Sequence, residues 1–259
     1  MRCVIFAGGR PSQEDPLYEF TRGDPKALLN IAGRPMISWI IAALESSRSV
    51  DSIAIVGLNT KPSLGNDIEF IADQGSLLDN VLAGIQWAKE RDPQGETLML
   101  SSSDIPAVTG PIIDSVVESC APFQQAIYYP VVSQKSMESR FPASNRTYVK
   151  LKGLFVAGGD LIIINPNLVE IDQEFWHAIF DARKYPWRMA KLVGVRTLLK
   201  FITRQLTLSE ATAIGQKIVG HPVEVLVTDH AEIAMDVDKP DHLELLASEL
   251  TNSNRLVDS

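Results

Sequence analysis

The chain has 259 residues, a formal net charge of −8 and 45% hydrophobic residues. This length and composition are typical of one large globular domain, and the acidic balance disfavours nucleic acid as a partner. The two cysteines are too few for a disulfide framework. No apolar stretch is long enough to span a bilayer, and the N-terminus lacks the features of a signal peptide. We therefore expect a cytoplasmic enzyme or binding protein.

The first half of the chain alternates between strand and helix patterns. Continuous apolar runs, which are typical of buried parallel strands, predict strands at residues 3–7, 52–57 and 97–100. We expect a further strand at residues 67–72. Apolar residues at helical spacing predict helices over residues 35–46 and 77–89. Alternating strands and helices favour a mostly parallel sheet that is covered by helices on both faces.

The second half of the chain has a less regular pattern. We expect further strands at residues 125–132, 147–152, 160–165, 224–227 and 232–235. We expect helices at about 167–181 and 188–204, from Thr207 onward, where Thr207 and Glu210 have capping-box spacing, and at 240–250. Residues 133–146 are expected to form a polar loop. The predicted fold is a three-layer α/β/α, Rossmann-like domain over residues 1–250. It has a mostly parallel mixed sheet, a helical elaboration at about 167–220 and a frayed polar tail over 251–259.

A pair of glycines, Gly8 and Gly9, follows the first strand directly. Glycine lets backbone N–H groups approach a ligand closely, so such a turn suits a phosphate. An ordinary turn at the end of a strand fits the same residues. Pro25 and Lys26 follow after a long loop, and a lysine held by a proline can supply a fixed positive charge, although a loop lysine is often only solvated.

Carboxylates follow a strand in the middle of the chain and recur near its end. Asp104 comes after the strand predicted at residues 97–100, where open parallel sheets bind their ligands. Asp236 and Asp238 are two residues apart and precede Pro240. These side chains could share a Mg²⁺ ion, which prefers oxygen ligands. Each could instead cap the helix that follows it.

Taken in order, the glycine turn, the Pro-Lys pair, the strand-end aspartate and the late Val-Asp-x-Pro segment resemble the MobA-like nucleotidyltransferases, which have a GT-A-type fold. The resemblance covers roughly residues 2–250. It implies that Ala7, Gly8, Gly9 and Lys26 bind a nucleoside triphosphate, and that Gly75 and Asn80 contact its base. It also implies that Asp104 and Asp238 hold Mg²⁺, with Asp236 as the competitor of Asp238. Residues 155–160 look like the acceptor-side Gly-Gly segment of this family.

The glycine turn departs from the family pattern. The family has Gly-Thr-Arg at the place where this chain has Arg10, Pro11 and Ser12. The resemblance assigns the arginine of that pattern to the triphosphate. Arg10 is the nearest substitute for this arginine, and Arg22 is a second candidate.

The resemblance implies a Mg²⁺-dependent enzyme that transfers a nucleoside monophosphate from a nucleoside triphosphate, GTP or CTP. The acceptor would be a phosphorylated small molecule or a cofactor precursor, and pyrophosphate would be released. Two alternatives remain open. Asp236-Val237-Asp238 is a DxD sequence, which would fit a GT-A glycosyltransferase. The altered turn after Gly9 would fit a nucleotide-binding regulatory module without catalysis.

Residues 183–204 contain seven basic residues, no acidic residue and interleaved apolar residues. In an acidic protein this is a local charge asymmetry. Three interpretations compete: a solvated helix with an apolar core side, a cover that contacts an anionic acceptor, or a helix that contacts a membrane surface. The oligomeric state cannot be predicted from these patterns.

Overall fold

The computed structural model describes residues 1–58, 68–170 and 193–257. The strands are β1 (Arg2–Phe6), β2 (Asn30–Ile31), β3 (Arg34–Pro35), β4 (Ser52–Val56), β5 (Ile68–Ile71), β6 (Leu98–Ser102), β7 (Ile127–Ser133), β8 (Val149–Leu151), β9 (Leu154–Gly158), β10 (Leu161–Ile164) and β11 (Val223–Thr228). The α-helices are α1 (Tyr18–Thr21), α2 (Ile37–Ser46), α3 (Leu77–Arg91), α4 (Gly110–Ser119), α5 (Gln134–Arg140), α6 (Val195–Ile202), α7 (Leu208–Val219) and α8 (Pro240–Val257). Short 3₁₀ helices cover Lys26–Leu28, Pro166–Glu170 and Ala231–Ala234.

Within this part of the chain, nine strands form one mixed sheet. Eight follow the order β5-β4-β1-β6-β10-β7-β9-β8, and β11 pairs with β7. The pairs β5–β4, β4–β1, β1–β6 and β7–β11 are parallel, whereas β6–β10, β10–β7, β7–β9 and β9–β8 are antiparallel. The predicted mixed α/β sheet is therefore confirmed. Its contiguous parallel block lies in the N-terminal half, where helices connect the strands.

Helices cover both faces of the sheet, as predicted for three layers. On one face, Cys3 and Ile5 of β1 belong to a core that also contains buried residues of α2, α4 and α8. On the other face, Val4 packs in a second core with residues of α3. Because side chains of a strand alternate between faces, the apolar run from Cys3 to Phe6 in β1 contributes to both cores.

Several local predictions are corrected. Residues 133–146 are not only a loop, because the Ser133 side chain accepts a hydrogen bond from Ser136 N and caps α5. The strand predicted at 232–235 is a 3₁₀ helix. The tail does not fray from residue 251, since α8 continues to Val257. Pro35 lies in β3 and α2 begins at Ile37.

The predicted helical elaboration is described in part. The Thr207–Glu210 capping box is present at the start of α7, and α6 lies within the helix predicted at 188–204. The helical predictions for 171–192 lie outside the described residues. None of the helices in the described ranges combines the length and hydropathy that crossing a bilayer would require. The division into one domain and a tail stays a prediction.

Candidate active site

A cavity of about 380 Å³ opens at the carboxyl ends of β1 and β6. This is the edge at which open α/β sheets bind ligands. Six of the residues predicted to bind nucleotide or metal line it. They are Gly8, Gly9, Lys26, Gly75, Asn80 and Asp104. Ala7 is buried at the end of β1, and neither Ala7 nor Arg10 is among the described residues of the lining.

The glycine turn is held close to its neighbours. Ala7 N donates to Val56 O at 2.9 Å. A Cβ atom on Gly57 would lie 2.5 Å from the Gly8 Cα atom, and Gly57 has a φ of +97°. Only glycine fits this contact without distortion. A Cβ atom on Gly9 would meet no atom within 4 Å, so Gly9 leaves open space beside the cavity.

Asn80 fixes the loop before α3. Its Oδ1 atom accepts from Gln74 N at 2.7 Å, and its Nδ2 atom donates to Asp73 Oδ1 at 3.0 Å. Gly75 N donates to the same Asp73 oxygen at 3.1 Å. The hydrogen bonds from Asn80 and Gly75 lower the pKa of Asp73. Asn80 therefore positions the loop, while Asp73 is a lining carboxylate that the sequence reasoning missed.

Lys26 and two aspartates form the charged centre of the cavity. Lys26 N donates to Gly9 O at 2.9 Å, which places the Pro-Lys pair against the glycine turn. Lys26 Nζ donates to Asp104 Oδ2 at 2.6 Å and to Asp238 Oδ1 at 2.8 Å. Burial opposes the charge on Lys26, but Asp104 and Asp238 outweigh burial and raise the pKa of this side chain. The predicted convergence of the middle and the end of the chain is therefore present.

The acidic residues of this centre fit a divalent cation. Asp104, Asp236 and Asp238 each offer an oxygen, and these oxygens lie within 4.8 Å of one another. Carboxylate oxygens are the hard ligands that Mg²⁺ prefers. The alternative that Asp104 caps the helix that follows it is wrong. That helix is α4, and Thr109 occupies its N-cap position.

Asp236 and Asp238 have different surroundings. Asp236 is buried and ion-pairs with Arg146. Burial and a hydrogen bond with Asp238 raise the pKa of Asp236 to about 8, against the opposing charge of Arg146. Asp238 is half exposed. The hydrogen bond from Asp236 and the contact with Lys26 hold the pKa of Asp238 well below its usual range.

Three residues near this centre were not singled out by the sequence. Arg146 lies in the predicted polar loop, and His242 lies in the last predicted helix. Asp160 ends the predicted acceptor-side segment, and its N–H donates to Ile233 O at 2.8 Å. Burial and the nearby Asp104 raise the pKa of Asp160 to about 7. No spacing in the sequence marks these residues, because their neighbours come from distant segments.

The two arginine candidates lie on the exposed side of the glycine turn. Arg10 Nη1 donates to Gly23 O at 3.3 Å, and its charge contributes to the low pKa of Asp73. Arg22 has a left-handed backbone with a φ of 51°. The role of either arginine at a triphosphate stays a prediction.

Comparison with known proteins gives concordant matches. The model of the MobA-like NTP transferase domain matches residues 3–232. A hypothetical transferase from Thermus thermophilus is 31% identical, with a TM-score of 0.80 over 93% of this chain and 98% of the other. CMP:2-keto-3-deoxy-manno-octonic acid synthetase, solved with CTP, is 10% identical, with a TM-score of 0.56 over 97% and 99% of the two chains.

A further structural match shares the fold. The 2-C-methyl-D-erythritol 4-phosphate cytidylyltransferase of Thermus thermophilus is 15% identical, with a TM-score of 0.55 over 96% of this chain and 98% of the other. The family match covers most of the chain. The glycine turn, the lysine and Asp104 that the resemblance assigns line the cavity, and Lys26 connects them to Asp238. This chain therefore belongs to the MobA-like NTP transferase family and is a nucleotidyltransferase.

Proposed function

We propose that this enzyme transfers a nucleoside monophosphate from GTP or CTP to a phosphorylated small-molecule acceptor, depends on Mg²⁺ and releases pyrophosphate. One observation carries the proposal. Lys26 Nζ lies between Asp104 and Asp238 at the mouth of a cavity lined by Gly8 and Gly9. This arrangement provides a cationic side chain, backbone donors and metal-binding oxygens in one place.

The protein groups bind and align the reactants. Backbone N–H groups of Gly8 and Gly9, together with the Lys26 ammonium, would hold the triphosphate. Asp104 and Asp238 would hold Mg²⁺, which would neutralise charge on the α-phosphate. An anionic oxygen of the acceptor phosphate attacks the α-phosphorus, so no proton has to be removed first, and pyrophosphate leaves. Such a transfer depends mainly on alignment and charge neutralisation.

Lys26 neutralises the charge of two aspartates. Its Nζ atom contacts one oxygen from each of two carboxylates that would otherwise repel each other. A cation held by these carboxylates would compete with Lys26 for their oxygens. The ammonium would then be available to bind a triphosphate oxygen.

The base would lie against the loop before α3. Asp73 and Leu77 line the cavity on this side, and Leu77 is 53% exposed. The Leu77 side chain can cover the flat face of a base, and the Asp73 carboxylate can accept hydrogen bonds from its N–H groups. Guanine and cytosine both offer such donors. Two proteins of the same fold are named for CTP or for cytidylyl transfer.

The two other functions fit the site less well. In a glycosyltransferase both aspartates of the DxD sequence would be expected at the ligand, but Asp236 is buried against Arg146. A regulatory module would not require the contacts among Lys26, Asp104 and Asp238 that are present. These observations favour nucleotidyl transfer over both alternatives.

Pyrophosphate release tests the proposal. The assay combines each of the four nucleoside triphosphates with Mg²⁺ and a panel of phosphorylated acceptors. With the active pair, Asp104→Ala should lower kcat by at least about 100-fold, because an electrostatic element of the transition state is lost. Asp241→Asn, which changes an exposed carboxylate in the first turn of α8, is the matched control. Near-normal turnover in Asp104→Ala would contradict the proposal.

We also propose that the basic stretch at 183–204 contacts anionic lipid. Residues 183–192 lie outside the described ranges, so the argument rests on α6. Val195, Leu199 and Ile202 recur on one side of this helix and are 71%, 57% and 65% exposed. Arg196 is exposed beside them, whereas Lys200 pairs with Glu210 of α7. An outward apolar stripe beside basic residues suits a membrane surface.

Flotation with liposomes tests this contact. The protein should float together with phosphatidylserine-containing vesicles. It should stay in the bottom fraction when the vesicles are zwitterionic, because binding requires both apolar insertion and charge attraction. Leu199→Glu should abolish flotation. Val227→Glu, which changes an exposed apolar residue of β11, should leave it intact. Failure of the wild-type protein to float with anionic vesicles would contradict the proposed contact.

A further inference from the structure

His242 is a buried side chain that joins two loops at the metal carboxylates. It lies in the first turn of α8 and is 1% exposed. Its Nε2 atom lies 2.7 Å from Ser144 O, and because a carbonyl oxygen only accepts, Nε2–H is the donor. Its Nδ1 atom lies 2.9 Å from Asp236 O and 3.3 Å from Asp238 N. The imidazole therefore bridges residue 144 and the backbone of the Asp236–Asp238 segment.

The same two loops are joined a second time by Arg146. This side chain ion-pairs with Asp236, and its Nη1 atom lies 4.0 Å from Asp238 Oδ2. Since Ser144 is two residues before Arg146, the hydrogen bond from His242 fixes the backbone that carries this guanidinium. The imidazole and the guanidinium thus hold the Asp236–Asp238 segment from one side.

The opposite side of the segment is fixed by the strand-end loop. Val237 N donates to Asp104 O at 3.0 Å, and Lys26 Nζ contacts both Asp104 and Asp238. Without His242, Asp238 would keep these contacts, the hydrogen bond with the Asp236 side chain and the long contact to Arg146. Asp238 is half exposed, so its position depends on its backbone more than on packing of its own side chain.

We propose that His242 is a positioning residue that fixes the metal ligand Asp238 and, through Ser144, the orientation of Arg146. The proposal rests on the proposed Mg²⁺ site at Asp104 and Asp238. Groups that orient metal ligands typically contribute about 10-fold to 100-fold in metal affinity. A residue that only fills the core would contribute to stability and leave the affinity of the folded protein for metal unchanged.

Binding of Mn²⁺ alone, measured by electron paramagnetic resonance on the full chain without nucleotide, tests the proposal. His242→Phe keeps an aromatic ring and removes both hydrogen bonds, and we expect its Mn²⁺ affinity to fall by about 10-fold. His242→Gln can still reach Ser144 O, so it should recover part of the loss. His221→Phe, at the turn between α7 and β11, is the control. Thermal unfolding of each variant establishes that it is folded.

The outcomes separate the inference from the function on which it rests. Wild-type affinity in folded His242→Phe, or equal losses in His242→Phe and His242→Gln, would overturn the positioning role. If His242→Phe does not fold, the comparison uses His242→Gln and His242→Asn, which each keep one of the two links. Weaker binding in either folded variant supports the role, and wild-type binding in both overturns it. If Asp104→Asn does not weaken Mn²⁺ binding, the metal site itself is wrong.

Discussion

Asp236 and Asp238 are the two carboxylates that compete for the second place in the proposed metal site, and the resemblance favours Asp238. Asp238 contacts Lys26 at 2.8 Å and is half exposed at the cavity. Asp236 is buried and paired with Arg146. Burial and the neighbouring Asp238 both raise the pKa of Asp236, whereas Lys26 and Asp236 hold that of Asp238 low. These differences support our proposal that Asp238 is the metal ligand and that Asp236 supports it.

Replacing each aspartate with asparagine tests this difference at the residue scale. Asp238→Asn removes a charged oxygen ligand, so we expect Mn²⁺ affinity to fall by at least about 10-fold. Asp236→Asn keeps the volume and leaves the carboxylate of Asp238 in place, so we expect a smaller fall than in Asp238→Asn. Isothermal titration with Mn²⁺ measures both. A larger loss in Asp236→Asn than in Asp238→Asn would reverse the assignment.

At the scale of elements, Asp114 connects α4 to the loop between α2 and β4. It accepts from Ser47 Oγ at 2.6 Å and from Ser49 N at 3.0 Å, and it also accepts from Arg48 N at 3.3 Å. Burial alone would raise the pKa of Asp114, but the hydrogen bonds from this loop outweigh burial and hold the pKa well below its usual range. The loop therefore depends on an ionised carboxylate.

The stability of this contact should depend on pH. The carboxylate is more acidic in the folded chain than in the unfolded chain. The stability that it contributes is therefore complete above the unfolded pKa of about 4 and declines as the pH falls below that value. Asp114→Asn should lower the free energy of unfolding by about 2 kcal/mol at pH 7, and this difference should shrink at pH 3. Urea denaturation at both pH values measures it.

The control for Asp114 is on the same helix. Glu118 also contacts Arg48, but both side chains are exposed, at 71% and 82%. Exposed ion pairs contribute little, so Glu118→Gln should change stability by less than about 0.5 kcal/mol. A pH-independent effect of Asp114→Asn would show that its charge is not what holds the loop.

The sequence predicts most of the elements that contain an apolar run or a clear apolar stripe. β1, β4, β6 and α3 are predicted because each contains such a run or stripe. α4 has no predicted counterpart, although Ile113, Val116 and Val117 are buried along it. α5 was missed because seven mostly polar residues carry no such period, and only Met137 is buried. The 3₁₀ helix Ala231–Ala234 was taken for a strand because a short apolar segment fits either structure.

At the scale of the whole molecule, the order of the motifs along the chain predicted the residues of the candidate site better than any single motif did. Gly8, Lys26, Asp104 and Asp238 come from four separated segments, and the resemblance placed them at one site, as the geometry does. Arg146, Asp160 and His242 could not be predicted in this way. Their roles depend on partners that only tertiary packing brings near, such as Ser144 O for His242.

A metal held by Asp104 and Asp238 would link opposite halves of the chain, so its binding should stabilise the whole fold. A ligand that binds only the folded state at a hundred times its Kd contributes about 2.7 kcal/mol. In a chain of this size, that corresponds to a rise in Tm of about 5–10 °C. Mn²⁺ would compete with Lys26 for the oxygens of Asp104 and Asp238. The Kd for Mn²⁺ measured on the wild-type protein therefore already includes the free energy of breaking the Lys26 contacts.

Thermal unfolding with and without Mn²⁺ measures this linkage. Wild-type protein and Asp241→Asn should show the rise at a hundredfold excess of Mn²⁺ over Kd, and chelation by EDTA should remove it. Asp238→Asn should show no more than about half of this rise at the same Mn²⁺ concentration, because a site that is about 10-fold weaker is then only at about a tenfold excess over its Kd. An equal rise in Asp238→Asn would place the stabilising cation elsewhere in the molecule and would leave the two halves joined only by protein contacts.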